Sequence, residues 1–386
     1  MDEYPAGPAS PGPRGLPLSV VIPVHNGGRD FERCLRGLRD SSRADFECVV
    51  VDDGSTDDSG ALAERFGARV LRHDRPLGPA AARNAGALAA SRPLIFFVDA
   101  DGAVHPDAIA RALRRFEADP GLAGLFGSYD DAPAARPWVS QFRNLLHHYV
   151  HQTGAFVDDA RPARTFWTGC GFIRRDVFVG LGGFDPLRYA RPAIEDIELG
   201  YRVVRAGHEL KLARDVQATH LKRWTLVDMV RTDVFRRGVP WMLLMKRSRV
   251  AETDLNVSRA QQVCVAATGL GGLGLLASAA WPGLLAVPIA AMAAIVVLNA
   301  GFYRFLARTK GPGFAAWAIL PHLVYYACCG AAVVIALGIW HLAPRVRAAG
   351  DATPNLRLDL GAAPTESSAP APHHDRAVRQ PRGSRR

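Results

Sequence analysis

Two short acidic motifs each follow a run of apolar, mostly β-branched residues. VDDGSTD contains Asp52 and Asp53, and VDAD contains Asp99 and Asp101. Carboxylates at the end of a strand accept hydrogen bonds from a nucleotide base or from ribose hydroxyls, and alternate acids direct one carboxylate toward a hard cation such as Mg²⁺ or Mn²⁺. Either motif alone also fits a surface turn or a helix cap. Their succession along one chain favours a site for a nucleoside diphosphate and a divalent metal.

A third acidic cluster opens the helix-like run IEDIELGYR, which contains Glu195 and Asp196. Acids at a helix N-terminus complement the helix dipole, so stabilisation is one interpretation. Adjacent carboxylates also repel each other, which raises the proton affinity of one toward the value that a general base requires. We therefore predict that this pair contains a catalytic base.

Two basic side chains stand out beside these acids. Arg83 lies in the helix-like run GPAAARNAG, and His220 lies in THLKRW. The Arg83 guanidinium is suited either to a nucleotide carbonyl or phosphate or to a nearby acid. His220 either completes a metal or phosphate shell or is structural, and both pairs of alternatives remain open at this point.

Short apolar runs alternate with helix-like segments through residues 18–221, which must position these side chains. The predicted strands are 18–24, 46–52, 68–72, 93–98 and 122–126, and the predicted helices are 29–40, 58–66, 79–91 and 106–118. Near-continuous Val, Ile and Phe runs between helices indicate a mostly parallel, twisted sheet that is buried on both faces, as in α/β doubly wound domains. Ligands bind at the carboxyl ends of such strands, where both acidic motifs fall.

The second half of the chain is apolar. Residues 263–303 and 314–341 contain no Asp, Glu, Lys or Arg within a chain of 386 residues that is 48% hydrophobic. Such runs exclude a wholly water-soluble, collagenous or disordered protein. With a turn signal at Trp281-Pro282-Gly283, we predict two or three transmembrane helices at about 262–280, 284–303 and 314–341.

Basic residues flank the apolar runs. Residues 222–261 interleave arginines with Leu, Val, Met and Trp, which predicts amphipathic helices at a membrane interface, although ordinary surface helices are the alternative. Residues 1–17, which have no apolar signal-peptide core, and 343–386 are expected to be disordered. The net charge of +10 lies largely in this tail and near the spans, and no nucleic-acid motif accompanies it. We expect a multi-pass inner-membrane protein with a cytoplasmic catalytic domain.

Taken together, the motifs resemble the family 2 inverting glycosyltransferases of the GT-A fold over about residues 18–245. The shared segments are VVIPVHN, VDDGSTD, GPAAARN, VDAD, TGCGFIRR, GGFD and IEDIELGYR. The resemblance implies a nucleotide-sugar donor, a divalent metal (Mn²⁺ or Mg²⁺), and a single displacement by an acceptor hydroxyl.

The resemblance also implies site residues. Those for the nucleotide-sugar are Pro23, Asn26, Asp53, Arg83 and Asp99, to which we add their neighbours Val24 and Asp52. Those for the metal are Asp101 and Asp99, with His220 as a further candidate. Asp196 is implied as the general base, with Glu195 beside it. On the acceptor side we expect Gly169, Cys170, Lys222, Arg237 and Trp241.

One departure from the family bears on the product. Processive membrane synthases carry a Q-x-x-R-W motif, whereas this chain has RGVPW, with Pro240 in place of the arginine. We therefore favour transfer of one sugar to a lipid-linked or membrane-associated acceptor in cell-envelope glycan synthesis. The alternatives are a processive polysaccharide synthase and a nucleotide-sugar-binding membrane protein without transferase activity.

Overall fold

The structure, a computed structural model, describes residues 15–43, 45–248, 257–343 and 365–366. The two segments predicted to be disordered, 1–17 and 343–386, lie almost entirely outside the described residues.

The first half of the catalytic domain is a parallel α/β unit. Its strands are β1 (Leu18–Val24), β2 (Phe46–Asp52), β3 (Arg69–Arg72) and β4 (Leu94–Val98), and they run parallel in the order β3-β2-β1-β4. Its helices are α1 (Gly28–Arg39), α2 (Ser59–Phe66) and α3 (Pro79–Ala89). Alternate residues of each strand enter different cores, with Val20 and Phe96 on one face and Val21 and Phe97 on the other. The predicted buried parallel strands are confirmed.

The second half of the sheet is mixed rather than parallel. Its strands are β5 (Gly102–Val104), β6 (Leu122–Tyr129), β7 (Ala160–Pro162), β8 (Cys170–Arg174) and β9 (Glu209–His220). Its helices are α4 (Ala108–Ala118), α5 (Trp138–Gln152), α6 (Arg175–Gly180) and α7 (Glu195–Arg205). Strand β8 lies between β4 and β6 and is antiparallel to both, whereas β9 is parallel to β6. A two-residue strand, β10 (Thr365–Glu366), pairs with β3.

The remaining helices follow the sheet. They are α8 (Leu226–Arg231), a π-helical turn (Thr232–Gly238), α9 (Val239–Ser248), α10 (Arg259–Ala277), a 3₁₀ turn (Pro282–Leu285), α11 (Ala286–Leu298), α12 (Ala300–Lys310), α13 (Pro312–Trp317) and α14 (Ile319–Leu342). Two stretches, Arg259–Ala277 and Pro312–Leu342, are long and apolar enough to cross a membrane. A third span is possible if the pair Pro282–Leu298 and Ala300–Lys310 counts as one, despite its bend of 67°.

The second predicted span, 284–303, is not one straight helix, because the chain bends by 67° between α11 and α12. Asn299 lies at the break, and its amide Nδ2 donates to the carbonyl of Ile295 at 2.9 Å. A polar side chain that binds the backbone of its own helix competes with the regular ladder and is a common cause of bending. The chain then continues as helix α12 through residues 304–310, between the second and third predicted spans.

Candidate active site

Two cavities meet at the carboxyl end of β4. The loop cavity, about 430 Å³, is lined by Pro23, Val24, His25, Asn26, Asp53, Arg83, Asp99, Asp101, Glu195 and Lys222, among others. The aromatic cavity, about 210 Å³, is lined by Asp99, Asp101, Tyr129, Trp167, Asp196, His220, Lys222, Trp224, Arg237 and Trp241, among others. Asp99, Asp101 and Lys222 border both cavities. A molecule in one cavity can therefore meet a molecule in the other at these three side chains.

Asn26 joins the two loops that form the rim of the loop cavity. It has a φ of 52°, in the left-handed region that Asn tolerates better than most residues. Its side-chain oxygen accepts hydrogen bonds from the backbone N–H groups of Thr56 at 2.8 Å and Asp57 at 3.3 Å. The VHN turn after β1 is thus fixed to the GSTD loop after β2.

Asp53 fixes a third loop around the same cavity. Its Oδ1 accepts from the backbone N–H of Leu77 at 2.9 Å and lies 2.7 Å from Nδ1 of His73, and its Oδ2 accepts from the N–H of Gly78 at 2.8 Å. A carboxylate has about four acceptor positions, so Asp53 keeps capacity for a ligand donor. Asp52 accepts from the N–H of Ser55 at 2.9 Å and supports the loop from within.

Arg83 is buried between two carboxylates. Its Nη2 donates to Asp99 Oδ1 at 2.6 Å, and its Nη1 donates to Glu195 Oε1 at 2.8 Å. Burial opposes ionisation of the guanidinium, but the charges of Asp99 and Glu195 more than compensate and raise its pKa. Of the two alternatives left open by the sequence, pairing with acids is the one present here. The residue ties α3, β4 and α7 together while it borders the loop cavity.

Asp196 faces the aromatic cavity. Its Oδ1 accepts from the N–H of Ile197 at 2.8 Å, and its Oδ2 accepts from the N–H of Thr168 at 3.2 Å. Burial and the neighbouring Glu195 carboxylate raise the pKa of Asp196 to about 6, although Arg83 partly opposes this shift. Because Glu195 is paired with Arg83, Asp196 is the member of the pair that is suited to exchange a proton with a molecule in the cavity.

Asp101 and His220 face each other at the junction of the cavities. Asn144 Oδ1 lies 2.6 Å from Nδ1 of His220, and Nε2 of His220 lies 3.7 Å from Asp101 Oδ2. The positive charge between Nε2 and the carboxylate can be supplied by a proton on Nε2 or by a bound cation. Although burial opposes ionisation, His220 and Lys222 lower the pKa of Asp101.

The pair therefore fits a divalent cation as a two-ligand site. Among the described residues, no set of three or more His, Cys, Asp or Glu side chains is arranged to hold a metal ion. Mg²⁺ is commonly held by one or two carboxylates together with substrate phosphates, so two protein ligands suffice where a diphosphate supplies the rest. Asp99, the other candidate, has one oxygen occupied by Arg83.

The five residues expected on the acceptor side separate into two groups. Lys222, Arg237 and Trp241 border the aromatic cavity. Cys170 instead is fully buried in the hydrophobic core, opposite Val98 of β4. Gly169 lies against the Trp167 ring, where an added Cβ would come within 2.2 Å of a ring carbon. Gly169 thus allows Trp167 to form the cavity wall. Contrary to our expectation, the Cys170 side chain lies in the core and does not border the aromatic cavity.

Sequence reasoning missed the polar face of α5. Arg143, Asn144, His147 and His151 all line the aromatic cavity. Burial, together with His151, lowers the pKa of His147 well below its ordinary value, so this imidazole is neutral at pH 7. The sequence does contain a pattern that predicts this face. Asn144, His147 and His151 are spaced by three and four residues, which places them on one side of a helix.

Comparison with known proteins identifies the family of this chain. Residues 19–182 match the family model described as glycosyl transferase family 2. An uncharacterized protein of Mycobacterium tuberculosis (strain CDC 1551 / Oshkosh) is 31% identical over 225 residues, which are 53% of this chain and 69% of that protein. Validoxylamine A glucosyltransferase of Streptomyces hygroscopicus subsp. jinggangensis is 30% identical over 53% of this chain and 56% of its own.

The chain spans only about half the length of the relatives with a named activity that we cite, at 56% for the validoxylamine enzyme and 50% for the pre-mycofactocin glycosyltransferase of M. tuberculosis. A solved mannosyltransferase from Pyrobaculum calidifontis, in complex with GDP-Man and Mn²⁺, covers 83% of this chain and 86% of its own at 18% identity, with a TM-score of 0.49. A similarity at that level adds no support by itself. The family match and the uncharacterized M. tuberculosis relative together show that this chain belongs to glycosyltransferase family 2. It is a glycosyltransferase with the α/β mixed sheet of the GT-A fold.

Proposed function

We propose that this glycosyltransferase moves a sugar from a nucleoside-diphosphate donor to an acceptor hydroxyl, with inversion, beside a membrane. The observation that carries the proposal is that the loop cavity and the aromatic cavity meet at Asp99 and Asp101, with Asp196 on the aromatic side. The donor would occupy the first cavity and the acceptor the second, so that the reacting atoms meet where the two join.

On the donor side, Asp53 and the backbone of Pro23 to Asn26 would bind the nucleotide, since they line the loop cavity. Lys222, which borders both cavities, would stabilise negative charge on the departing diphosphate. Asp101 and His220 would hold a divalent cation, which when bound neutralises charge on the diphosphate.

On the acceptor side, the Asp196 carboxylate would take the proton of the acceptor hydroxyl. The hydroxyl oxygen would bond to the anomeric carbon as the bond from that carbon to the diphosphate oxygen breaks, so the configuration inverts. A carboxyl with a pKa of about 6 is ionised at neutral pH yet holds a proton better than an ordinary aspartate does. Trp167, Trp224 and Trp241 line the cavity that the acceptor would occupy and contribute aromatic surface to it.

The membrane part of the proposal is supported by the segment between the sheet and the apolar helices. Leu226, Val227 and Phe235 are exposed there by 46%, 57% and 62%, and Arg231 and Arg236 are exposed nearby. Exposed apolar side chains among arginines suit an interface with anionic lipids. We infer an inner-membrane enzyme with a cytoplasmic catalytic domain and a lipid-linked or membrane-associated acceptor in cell-envelope glycan synthesis.

The test is donor turnover by the full-length, membrane-embedded protein. UDP-, GDP- and dTDP-sugars would be supplied with Mn²⁺ or Mg²⁺ and a host lipid extract. We expect one donor to be consumed and a single sugar of inverted configuration to appear in the lipid fraction. A long product would favour a processive synthase, and equal turnover of a water-soluble acceptor without membrane would contradict the lipid acceptor. Binding of a donor without turnover would favour the binding-protein alternative.

For the metal, we expect Asp101→Asn to abolish the dependence of nucleotide binding on Mn²⁺. Loss of an outer-shell partner alone costs roughly 10- to 100-fold in metal affinity, and loss of a direct ligand should cost at least as much. The measurement is calorimetric titration of the nucleoside diphosphate with and without Mn²⁺. Asp131→Asn, which changes an exposed acid in the same domain, should behave as wild type. Metal-dependent binding that survives in Asp101→Asn would remove Asp101 from the site.

A further inference from the structure

We propose that the acceptor is a lipid whose headgroup carries a phosphate, that Arg237 binds this phosphate, and that the hydrocarbon chain lies in a groove beside the apolar helices. The inference rests on the proposed function for the existence of a lipid-linked acceptor and adds the chemistry by which it is recognised. The phosphate serves as an anchor, and the nucleophile remains a hydroxyl further along the headgroup.

Arg237 lies where the aromatic cavity joins a third and larger one. This third cavity, about 580 Å³ and here called the lipid groove, lies among the π-helical turn, α9, α10 and α14. Its apolar lining includes Trp241, Met242, Met245, Val265, Ala332 and Val333. Arg237 and Trp241 border both this groove and the aromatic cavity, which contains Asp196. A molecule anchored at Arg237 can therefore extend in both directions.

The charges at this junction do not balance. Arg143 donates from Nη2 to Asp233 Oδ1 at 2.6 Å, and both side chains are buried. Within the part of the chain that the structure describes, Arg237 forms no hydrogen bond or ion pair, and burial together with Arg143 lowers its pKa. Asp233 is thus paired with Arg143, and Arg237, which feels the more distant charges of Asp233 and Asp196, has no carboxylate bonded to it. Removal of a cation from water is unfavourable unless an anion compensates, and a phosphate would do so.

The backbone directs Arg237 inward. Val239 donates to the carbonyl of Val234, an i→i−5 bond, and Pro240 has no N–H to offer to the carbonyl of Arg236, so the helix widens here. Gly238 allows the turn to pack on α14, since an added Cβ would lie 2.5 Å from the Cβ of Ala332. As a result, Arg237 faces the cavities while the adjacent Arg236 is exposed.

The position of the groove favours a lipid phosphate over free phosphate. Its walls come partly from α10 and α14, which belong to the two stretches apolar enough to cross a membrane. A free phosphate ion would need only the arginines and would leave the apolar lining without a role. A hydrocarbon chain would cover the apolar lining while its phosphate reaches the arginines.

The test compares lipid binding by full-length variants in dodecyl maltoside, a detergent without phosphate. The probes are a C55 isoprenyl monophosphate, the matching alcohol and inorganic phosphate, with affinities measured by native mass spectrometry. We expect Arg237→Gln to weaken binding of the isoprenyl phosphate by roughly 10-fold or more, the range for a charged hydrogen bond. Arg237→Lys should lose less, and Arg65→Gln, which changes an exposed arginine of α2 that borders none of the three cavities, should lose nothing.

Several outcomes would overturn the inference. Equal effects of Arg237→Gln and Arg65→Gln would do so, as would wild-type affinity for the alcohol equal to that for the phosphate. Full competition by inorganic phosphate at the same concentration would assign the site to free phosphate instead. If Arg237→Gln fails to fold, the wild-type comparison of phosphate and alcohol decides.

Sugar transfer, assayed with the same protein variants, the nucleotide-sugar and a host lipid extract that supplies the acceptor hydroxyl, separates this inference from the proposed function. Transfer without binding of the isoprenyl phosphate overturns the inference alone. Binding that depends on Arg237, without any transfer, supports the inference and contradicts the proposed function.

Discussion

The Asp196→Asn variant is expected to lose sugar transfer by roughly 10²- to 10⁴-fold, the contribution of a positioned general base, while it still binds the donor. An amide has nearly the shape of a carboxylate, and its single oxygen can keep the contact with the N–H of Ile197. It loses the acceptor for the weaker contact with Thr168, at 3.2 Å, and it cannot take up the acceptor proton. The donor cavity lies on the other side of Asp99 and Asp101 and remains unchanged. The measurement is kcat with a saturating donor, beside the dissociation constant of the nucleotide.

The matched control is Asp176→Asn. Asp176 Oδ1 accepts from the N–H of Val177 at 2.9 Å in the first turn of α6, just as Asp196 Oδ1 accepts from the N–H of Ile197 at 2.8 Å in α7. Asp176 is exposed and borders neither cavity. The Asp176→Asn variant should keep wild-type transfer. A loss of transfer in both variants would indicate that the substitution destabilises the helix. Normal transfer by Asp196→Asn would assign the base elsewhere.

The same carboxyl predicts the pH dependence of the reaction. Burial and Glu195 raise the pKa of Asp196 to about 6, and a general base acts in its ionised form. We therefore expect kcat/KM to be on a plateau above this pKa and to fall roughly tenfold per pH unit below it, on the acid limb of a pH–rate profile. An acid limb near pH 4, the region of an unperturbed aspartate, would contradict the assignment.

The parallel half of the sheet could be predicted because its signal is local. Residues 18–24 and 94–98 are apolar almost throughout and match β1 and β4 in the structure. A strand that is buried on both faces needs such a composition wherever it lies in the fold. The two acidic motifs could be placed at strand ends for the same reason.

The rest of the site depends on contacts between distant parts of the chain. Arg83 and Glu195 are 112 positions apart, and Arg143 and Asp233 are 90 apart. No local pattern indicates which acid a buried arginine will meet. The antiparallel β8 was missed because CGFIR is short and glycine-containing, and its place between β4 and β6 follows only from tertiary packing.

Arg83→Met is expected to destabilise the catalytic domain by about 3 kcal/mol or more, because removal of one partner leaves buried charge without compensation. Methionine keeps much of the length of the side chain but none of its charge. The Glu195 side chain is only 6% exposed and would lose its cation, whereas Asp99, at 29%, can recover part of its hydration. The midpoint of thermal unfolding, followed by tryptophan fluorescence, should fall by roughly 6–12 °C for a domain of this size.

Arg36→Met is the matched control, since Arg36 forms an ion pair with Glu32 at 2.5 Å on the surface, where the two side chains are 57% and 35% exposed. Such a pair contributes about 1 kcal/mol at most. The double variant Arg83→Met/Glu195→Gln separates charge from packing, because an amide at position 195 needs no cation. We expect it to regain part of the loss. If Arg83→Met costs no more than Arg36→Met, or if the second substitution restores nothing, the buried charges do not hold α3, β4 and α7 together, and the alignment of Asp99 with Asp196 must have another origin.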